Sequence, residues 1–327
     1  MISVSIGIAA FLIVVASMYA GLEILYALGR KRVEAEWQRD SVEPLTEIGL
    51  TRSLEILPLV DWYPARPELR GEAGVSYLIK TDHATVLLDV GLNMHRTDPS
   101  PLQHNMKELG ISIGDIDTFV VSHKHIDHVG GLRWLRHDTF SPGNAQPDLS
   151  GKRLVVPVPM EYPGNPPQVT SRPTVLAPGI ATIGTIASHL FMGRVDEQAL
   201  AVNVEGKGIV IIVGCGHQTL PKLLARAKAL FTEPLYGIVG GLHYPVPRGR
   251  MKLAGVDAQN LAVFGLTHVP TRKQVQAELD QLAERTPQWV SLSAHDSSDE
   301  TIEQFRREFG ERFHDLRVGD WQRIATP

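Results

Sequence analysis

Only one cysteine, Cys215, occurs among 327 residues. That excludes an internal disulfide and agrees with a reducing compartment. Aromatic residues are sparse at 6%, and neither sign of charge dominates, the formal net charge being −4. Without a basic excess there is no electrostatic footprint for phosphate backbones, so no nucleic-acid partner is expected. Long disordered-looking tracts and internal repeats are also missing. With 43% apolar and 21% charged residues, the chain has the make-up of a globular protein, long enough for one large domain or two ordinary ones.

Long hydrophobic runs are absent too, with one exception. Residues 2–22 are 21 consecutive positions without a charge. A helix of that length spans the roughly 30 Å hydrocarbon layer of a bilayer. A secretory signal carries basic residues before its apolar run and a small-x-small cleavage site after it, and neither is present. Residues 1–29 therefore read as a single-pass membrane anchor, in preference to a signal peptide or a buried helix. Arg30, Lys31 and Arg32 follow directly, and the positive-inside rule places everything after them in the cytoplasm. Residues 30–50 read as a polar, partly helical juxtamembrane linker, and residues 51–327 as one folded domain.

Within that domain, short apolar runs alternate with turn signals. Residues 54–60, 75–81 and 84–91 have strand character, the last two joined by a turn at residues 81–83. Ser100 and Pro101 suit the cap and first turn of a helix that Gly110 closes. Residues 116–122, IDTFVVS, are almost continuously apolar, as in a strand buried on both faces. The proline-rich stretch 142–178 predicts long ordered loops around one strand, RLVVPVP. A strand at residues 208–214 leads into a helix over 219–231. Thr271 with Gln274, and Ser297 with Glu300, have the spacing of capping boxes opening two further helices.

The residues that carry chemistry are concentrated. Three of the 13 histidines and an aspartate fall within six positions of VSHKHIDHVGG, residues 121–131. This cluster follows the buried strand directly, where loops aim side chains without disturbing a core. His123 and His125, two apart in an extended segment, project to one side and can reach a single ion. Asp127 and His128, adjacent in a turning loop, can serve a second ion nearby. Gly130 and Gly131 let the backbone pass close to the site. Imidazole and carboxylate suit zinc, with manganese and iron as alternatives. Two such ions could share a water, acidify it and clamp a displacement reaction. An exposed polar loop would explain the polarity but not the spacing or the location.

The string SHKHIDHVGG resembles the His-x-His-x-Asp-His signature of the metallo-β-lactamase fold. VLLDVG, residues 86–91, resembles the Asp-x-Gly segment that precedes it. EQALAVNVEGKGIVIIVGCGHQTL, residues 197–220, and GGLH, residues 240–243, resemble a narrower branch, the dihydropterin-synthase-like enzymes. There a strand ends in Gly-Cys-Ser-His and a Gly-Gly-Phe-His follows. The likeness covers residues 54–325. It implies an α/β (α+β) fold, a four-layer αββα sandwich here preceded by one transmembrane helix, with a dinuclear site along one edge. Two further ligands are implied in the carboxyl half, His217 and His295, each just past an apolar strand. The implied set is His123, His125, Asp127, His128, His217 and His295, holding two divalent ions, zinc foremost, with Asp127 also orienting the attacking water. Asp89 and Asp296 are expected to support the ligands. His243 is a candidate for substrate contact or proton supply, with a structural role equally open. Arg248 and Arg250 are candidates to hold an anionic group of the substrate, a solvated run being the plainer account.

Two departures from the pattern stand out. The aspartate that bridges the metals in many members is missing from VGCGH, so Cys215 or His217 must stand in; Cys215 itself reads as a small buried residue in preference to a soft ligand. HDSS, residues 295–298, replaces the His-Cys-Thr-Gly of the branch. The function implied is that of a membrane-anchored metal-dependent hydrolase acting on an ester, phosphoester or lactam-like small molecule. One alternative is an enzyme for a pterin or phosphorylated ribose substrate, which rests on resemblance alone. Another is a non-catalytic metal-binding sensor or scaffold at the membrane, which would need no open coordination position. A di-iron oxidoreductase normally carries glutamate where this chain has His125.

Overall fold

The computed structural model describes residues 2–253 and 255–325. The apolar run and most of the polar linker form one helix, α1 (Ile2–Arg39). Residues 31–39, KRVEAEWQR, contain neither proline nor glycine, and Arg32–Glu36 and Gln38–Glu34 pair across a single turn, a spacing that supports helix. The expected division at residue 29 is therefore crossed by continuous helix. The segment Phe11–Arg39 is long and apolar enough to cross a membrane, and lies near the N-terminus, where a signal sequence meets the same description. Its second half is docked on the domain, with Tyr26 and Val33 buried.

The domain is built on two sheets. The first contains β1 (Leu54–Val60), β2 (Ser76–Thr81), β3 (Thr85–Leu88), β4 (Thr118–Val120), β5 (Arg153–Val156) and β6 (Gln168–Val169) in that order. The second contains β7 (Pro173–Ala177), β8 (Ile180–Leu190), β9 (Gly193–Val204), β10 (Gly208–Val213) and β11 (Leu235–Gly240). A small ribbon, β12 (Lys252–Leu253) with β13 (Val256–Asp257), stands apart. β14 (Trp289–Leu292) then joins β11 at the edge of the second sheet, and the last strand, β15 (Gln322–Ala325), returns to pair with β1 in the first.

The period-two alternation of side chains sorts these strands into two faces. Ile56, Tyr77, Ile79, Val86, Leu88 and Val120 meet Leu200, Val202, Val210 and Ile212 between the sheets. Their neighbours Leu57, Leu78, Leu87 and Phe119 turn outward under α2 (Pro101–Glu108) and α3 (Leu132–Arg136), which contribute Leu102, Met106 and Trp134. On the opposite flank Ile209, Ile211 and Val213 pack against α4 (Leu220–Leu230), α6 (Arg272–Ala283) and α7 (Asp299–Phe309). Four layers result, helix, sheet, sheet and helix, and the strands read as continuous apolar runs because both of their faces are covered.

Two local expectations change and a third holds. The stretch read mainly as loops also contains β6 and β7; Pro173 opens β7, the edge strand, where a missing N–H breaks no ladder. The Thr271–Gln274 capping box is present at α6. At α7 the cap is Ser298, which accepts from the Thr301 N–H, while Ser297 donates instead to Asp296 at 2.9 Å. The Ser297–Glu300 spacing is therefore not used as a capping box, because the Ser297 hydroxyl is engaged by Asp296.

Candidate metal centre

β3 runs parallel to β4, and β10, β11 and β14 run parallel to one another, so in each group the strands end on the same edge. Asp89 lies just past β3, His123 to His128 past β4, Cys215 and His217 past β10, His243 past β11, and His295 past β14. The two sheets bring these ends face to face. Gly216, at φ 76°, makes the turn between Cys215 and His217. A Cβ there would stand 2.6 Å from the Gly241 carbonyl oxygen, so only glycine fits.

The ligand-type atoms converge in overlapping groups. Atoms of Asp127, His128, Cys215 and His295 lie within 4.8 Å of one another, as do those of His123, Cys215 and His217. The Cys215 sulfur is 3.0 Å from Nε2 of His128 and 3.1 Å from Nε2 of His295. Nε2 of His123 is 3.0 Å from Nδ1 of His125, and the His125 ring lies 5.1 Å from that of His217. Ligands of one tetrahedral zinc stand roughly 3.3–3.8 Å apart, so the spacing suits groups that share an ion. Cys215, His243 and Asp296 form a third such group, so Cys215 is common to all three. Sequence favoured a small buried residue at that position; the fold puts its sulfur at the centre of the cluster.

The histidines are oriented from behind. Nδ1 of His128 meets Asp89 at 2.7 Å, and Nδ1 of His123 meets Ser122 Oγ at 3.0 Å. Ser122 in turn donates its hydroxyl and backbone N–H to Asp89 at 2.6 and 2.7 Å. Nδ1 of His295 meets Ser293 Oγ at 2.6 Å, and that hydroxyl donates to Asp61 at 2.6 Å. Asp61 is completely buried and also accepts from the Tyr77 hydroxyl and the Trp62 N–H. With each Nδ1 held this way, the free nitrogen presented inward is Nε2. Replacing Ser293 with alanine should leave His295 in place but unoriented, and lower metal affinity roughly 10- to 100-fold. Competition with a chelating dye would measure this; unchanged affinity would show the relay to be dispensable.

Glu197 in β9 does the same for the Cys215 loop. Its carboxylate accepts the backbone N–H groups of Cys215, Gly216 and His217 at 2.9, 2.9 and 2.7 Å. Sequence reasoning passed over Asp61, Ser293 and Glu197. Glu197 left a faint trace, an acidic residue two positions before the apolar run 199–202 in the middle of β9; Asp61 and Ser293 left none.

Burial decides most of the electrostatics. It drives His123, His217 and His295 well below the usual imidazole range, and neighbouring imidazoles push the same way. His243 is pushed down by burial to about 3. These rings are neutral at physiological pH, the form that ligates. For His128 burial acts downward too, but Cys215, Asp89 and Asp127 overrule it and raise the group. Burial alone would raise Asp127; His128, His125 and His295 outweigh it and keep the carboxylate ionised. Burial pushes Glu197 up to about 7 against its three backbone donors, and raises the Cys215 thiol despite His128. A cation beside Cys215 would reverse that preference and favour the thiolate.

His217 and His243 supply a direct test of fit. Both are buried, and neither ring has a hydrogen-bond partner on either nitrogen among the described residues. A buried polar atom without a partner is costly, and the two rings stand 4.5 Å apart at the cluster's margin. An ion, with a water or substrate beside it, would satisfy them, so this donor set fits divalent metal. Asp296 holds His243 in position, accepting its backbone N–H at 3.0 Å where His243 adopts φ 53°. The two arginines differ from one another. Arg250 pairs with Asp299 at 2.8 Å and also donates to the Ala294 carbonyl and the Tyr63 hydroxyl, so its donors are committed to the fold. Arg248 is exposed at the surface.

A model of the metallo-beta-lactamase superfamily matches residues 69–143, which include the whole signature loop. A solved metal-dependent hydrolase of the beta-lactamase superfamily superposes with a TM-score of 0.58 at 20% identity, over 84% of this chain and 100% of that one. The metallo-beta-lactamase fold protein of Bacillus subtilis aligns over 83% of this chain and 99% of that one, with 14% identity and a TM-score of 0.48. Among curated proteins, 7,8-dihydropterin-6-methyl-4-(beta-D-ribofuranosyl)-aminobenzene-5'-phosphate synthase of Methanocaldococcus jannaschii is 26% identical over 242 residues, covering 61% of this chain and 80% of that protein.

Proposed function

We propose that this chain, whose residues 69–143 match the metallo-beta-lactamase superfamily, is a membrane-anchored, metal-dependent hydrolase facing the cytoplasm. Its substrate would be a small molecule with an ester, phosphoester or lactam-like centre. The observation that carries the proposal is the convergence of three ligand groups on Cys215, with the rings of His217 and His243 left without hydrogen-bond partners among the described residues. His123, His125 and His217 would hold one divalent ion and Asp127, His128 and His295 the other, with the Cys215 sulfur within reach of both groups. Two ions there, zinc by ligand type, would lower the pKa of a shared water toward neutrality and stabilise the negative charge that develops on the substrate.

The chain's own residues do the rest. Asp127, kept ionised, has one carboxylate oxygen toward His128 at 3.6 Å; the other is free to orient the attacking water and accept its proton. His243, kept neutral by burial, can hydrogen-bond a substrate oxygen from the opposite side. The Asp89–Ser122 and Asp61–Ser293 supports hold the imidazoles still, so that little reorganisation accompanies reaction.

Metal content of the purified full chain tests this, beside hydrolysis of a phosphodiester, a lactone and a β-lactam. We expect about two equivalents of ion per chain, and activity that disappears with chelation and returns with zinc or manganese. A fully reconstituted protein that binds no ion would sink the hydrolase and favour a tethered scaffold. A second reading has support from the Methanocaldococcus jannaschii relative, whose name is that of an enzyme making a pterin-bearing ribose phosphate, so a phosphorylated pterin or ribose compound belongs in the same assay.

A further inference from the structure

The cavity that reaches His217 and His243 is partly walled by α1. It encloses about 990 Å³, with Tyr26, Arg30, Lys31 and Glu34 on one side and Phe264 and Gln274 on the other. The helix is firmly held there. Glu34 pairs with Lys222 at 2.9 Å and Glu36 with Arg194 at 2.6 Å. Gly29 passes so close to the His189 ring that a Cβ would collide with it. A helix serving only as a tether would need no such docking, nor any place in the wall of a cavity.

The same helix carries the charge-free run of residues 2–22. Tyr26 lies four residues beyond it, about 6 Å along the axis, so the cavity begins where the apolar run ends. The domain has apolar points of its own at that level. Met192, at the tip of the β8–β9 hairpin, is 79% exposed, and Leu266, shortly after α5 (Ala258–Phe264), is 67% exposed. Both are tied to the helix: Phe191 packs on Tyr19 and Tyr26 with ring centroids at 5.7 and 5.8 Å, and the Leu266 N–H donates to the Tyr19 hydroxyl at 3.1 Å. Glu23, the first charge after the run, is bonded to Tyr19, Thr267 and His268. With α1 spanning a bilayer through residue 22, Met192 and Leu266 lie level with Tyr19, at or below the lipid surface.

We infer that this cavity takes its substrate from the lipid layer: an amphiphile whose anionic head lies against Arg30 and Lys31 and whose alkyl chain leaves toward Met192 and Leu266. The inference rests on reading α1 as a membrane span and the metal centre as that of a hydrolase. A soluble anion would account for the basic pair but not for the exposed apolar points. The continuity of those points with α1 indicates what covers them.

The test uses the full chain, loaded with metal, in lipid nanodiscs. A spin label on Met192→Cys, which the buried Cys215 does not compete for, should be reached by oxygen and shielded from a water-soluble nickel chelate. Dodecyl phosphate carrying a photoreactive diazirine should label α1 and the 264–278 segment at least tenfold more than an ethyl phosphate analogue. The double variant Arg30→Ala, Lys31→Ala should lower that labelling by roughly fivefold per charge removed, with metal content unchanged. A label in water, or equal labelling by the long and short phosphates, in protein that keeps its metal and activity would overturn the lipid substrate alone. A protein that binds no metal would bring down the hydrolase reading and this inference with it.

Discussion

His128→Asn is expected to cost the protein at least one bound ion and to lower hydrolysis by on the order of 10³-fold or more. The asparagine can still donate an N–H toward Asp89, as Nδ1 of His128 does at 2.7 Å, so the buried carboxylate keeps a partner. What disappears is Nε2, which faces Cys215 at 3.0 Å and belongs to the group with Asp127 and His295. An ion left with three donors binds more weakly, and the water it would activate loses acidity. Elemental analysis and turnover on whichever substrate the wild type accepts are measured together, beside circular dichroism. A variant that retains about two ions and wild-type turnover would remove His128 from the centre. A folded variant that loses metal and activity together would place it there.

Glu197→Ala should produce the largest loss of stability. One carboxylate serves three successive backbone N–H groups of the Cys215–His217 turn, all of them buried. Removing it strands these donors where water cannot readily replace it, at about 1–3 kcal/mol for each that stays unsatisfied. Relaxation of the loop recovers part of that, which leaves about 3–5 kcal/mol and a melting temperature lower by roughly 5–10 °C. Glu197→Gln keeps one acceptor oxygen and should fall between the two. Thermal unfolding of all three proteins in the same detergent measures the series. A melting point for the alanine variant within about 1 °C of the wild type would mean that the turn holds itself and that Glu197 is incidental.

The two variants separate two ways in which the centre depends on its surroundings. His128 contributes an atom that would touch an ion; Glu197 contributes none, and acts by fixing the loop that carries Cys215 and His217. Loss of metal without loss of melting temperature belongs to the first kind. Loss of both belongs to the second.

Much of the centre is legible along the chain because four of its seven proposed donors are neighbours in sequence. His123, His125, Asp127 and His128 follow a strand whose apolar run marks it as buried, and local geometry alone turns them to one place. The strands themselves are legible for a similar reason: with both faces covered, β4 and β10 have no polar side to obscure the run. The length of the charge-free N-terminal run is equally a property of sequence, and so is the lack of any helix breaker that would end α1 before Arg39.

What the tertiary structure decided are the relations between distant residues. Ser293 and Asp61, 232 positions apart, meet only because β14 and β1 belong to two sheets stacked face to face. No local period records that contact. Cys215 looks like any small residue at the end of a strand until His128 and His295 close on its sulfur from opposite sheets. The same holds for α1: its apolar run is plain in the sequence, but its place in the wall of the cavity depends on Glu34 finding Lys222 and Tyr26 finding Phe191 and His268, all far along the chain. Donors within one loop are arranged by the chain's own geometry, whereas the supports that orient them come from whichever strands the packed cores bring alongside.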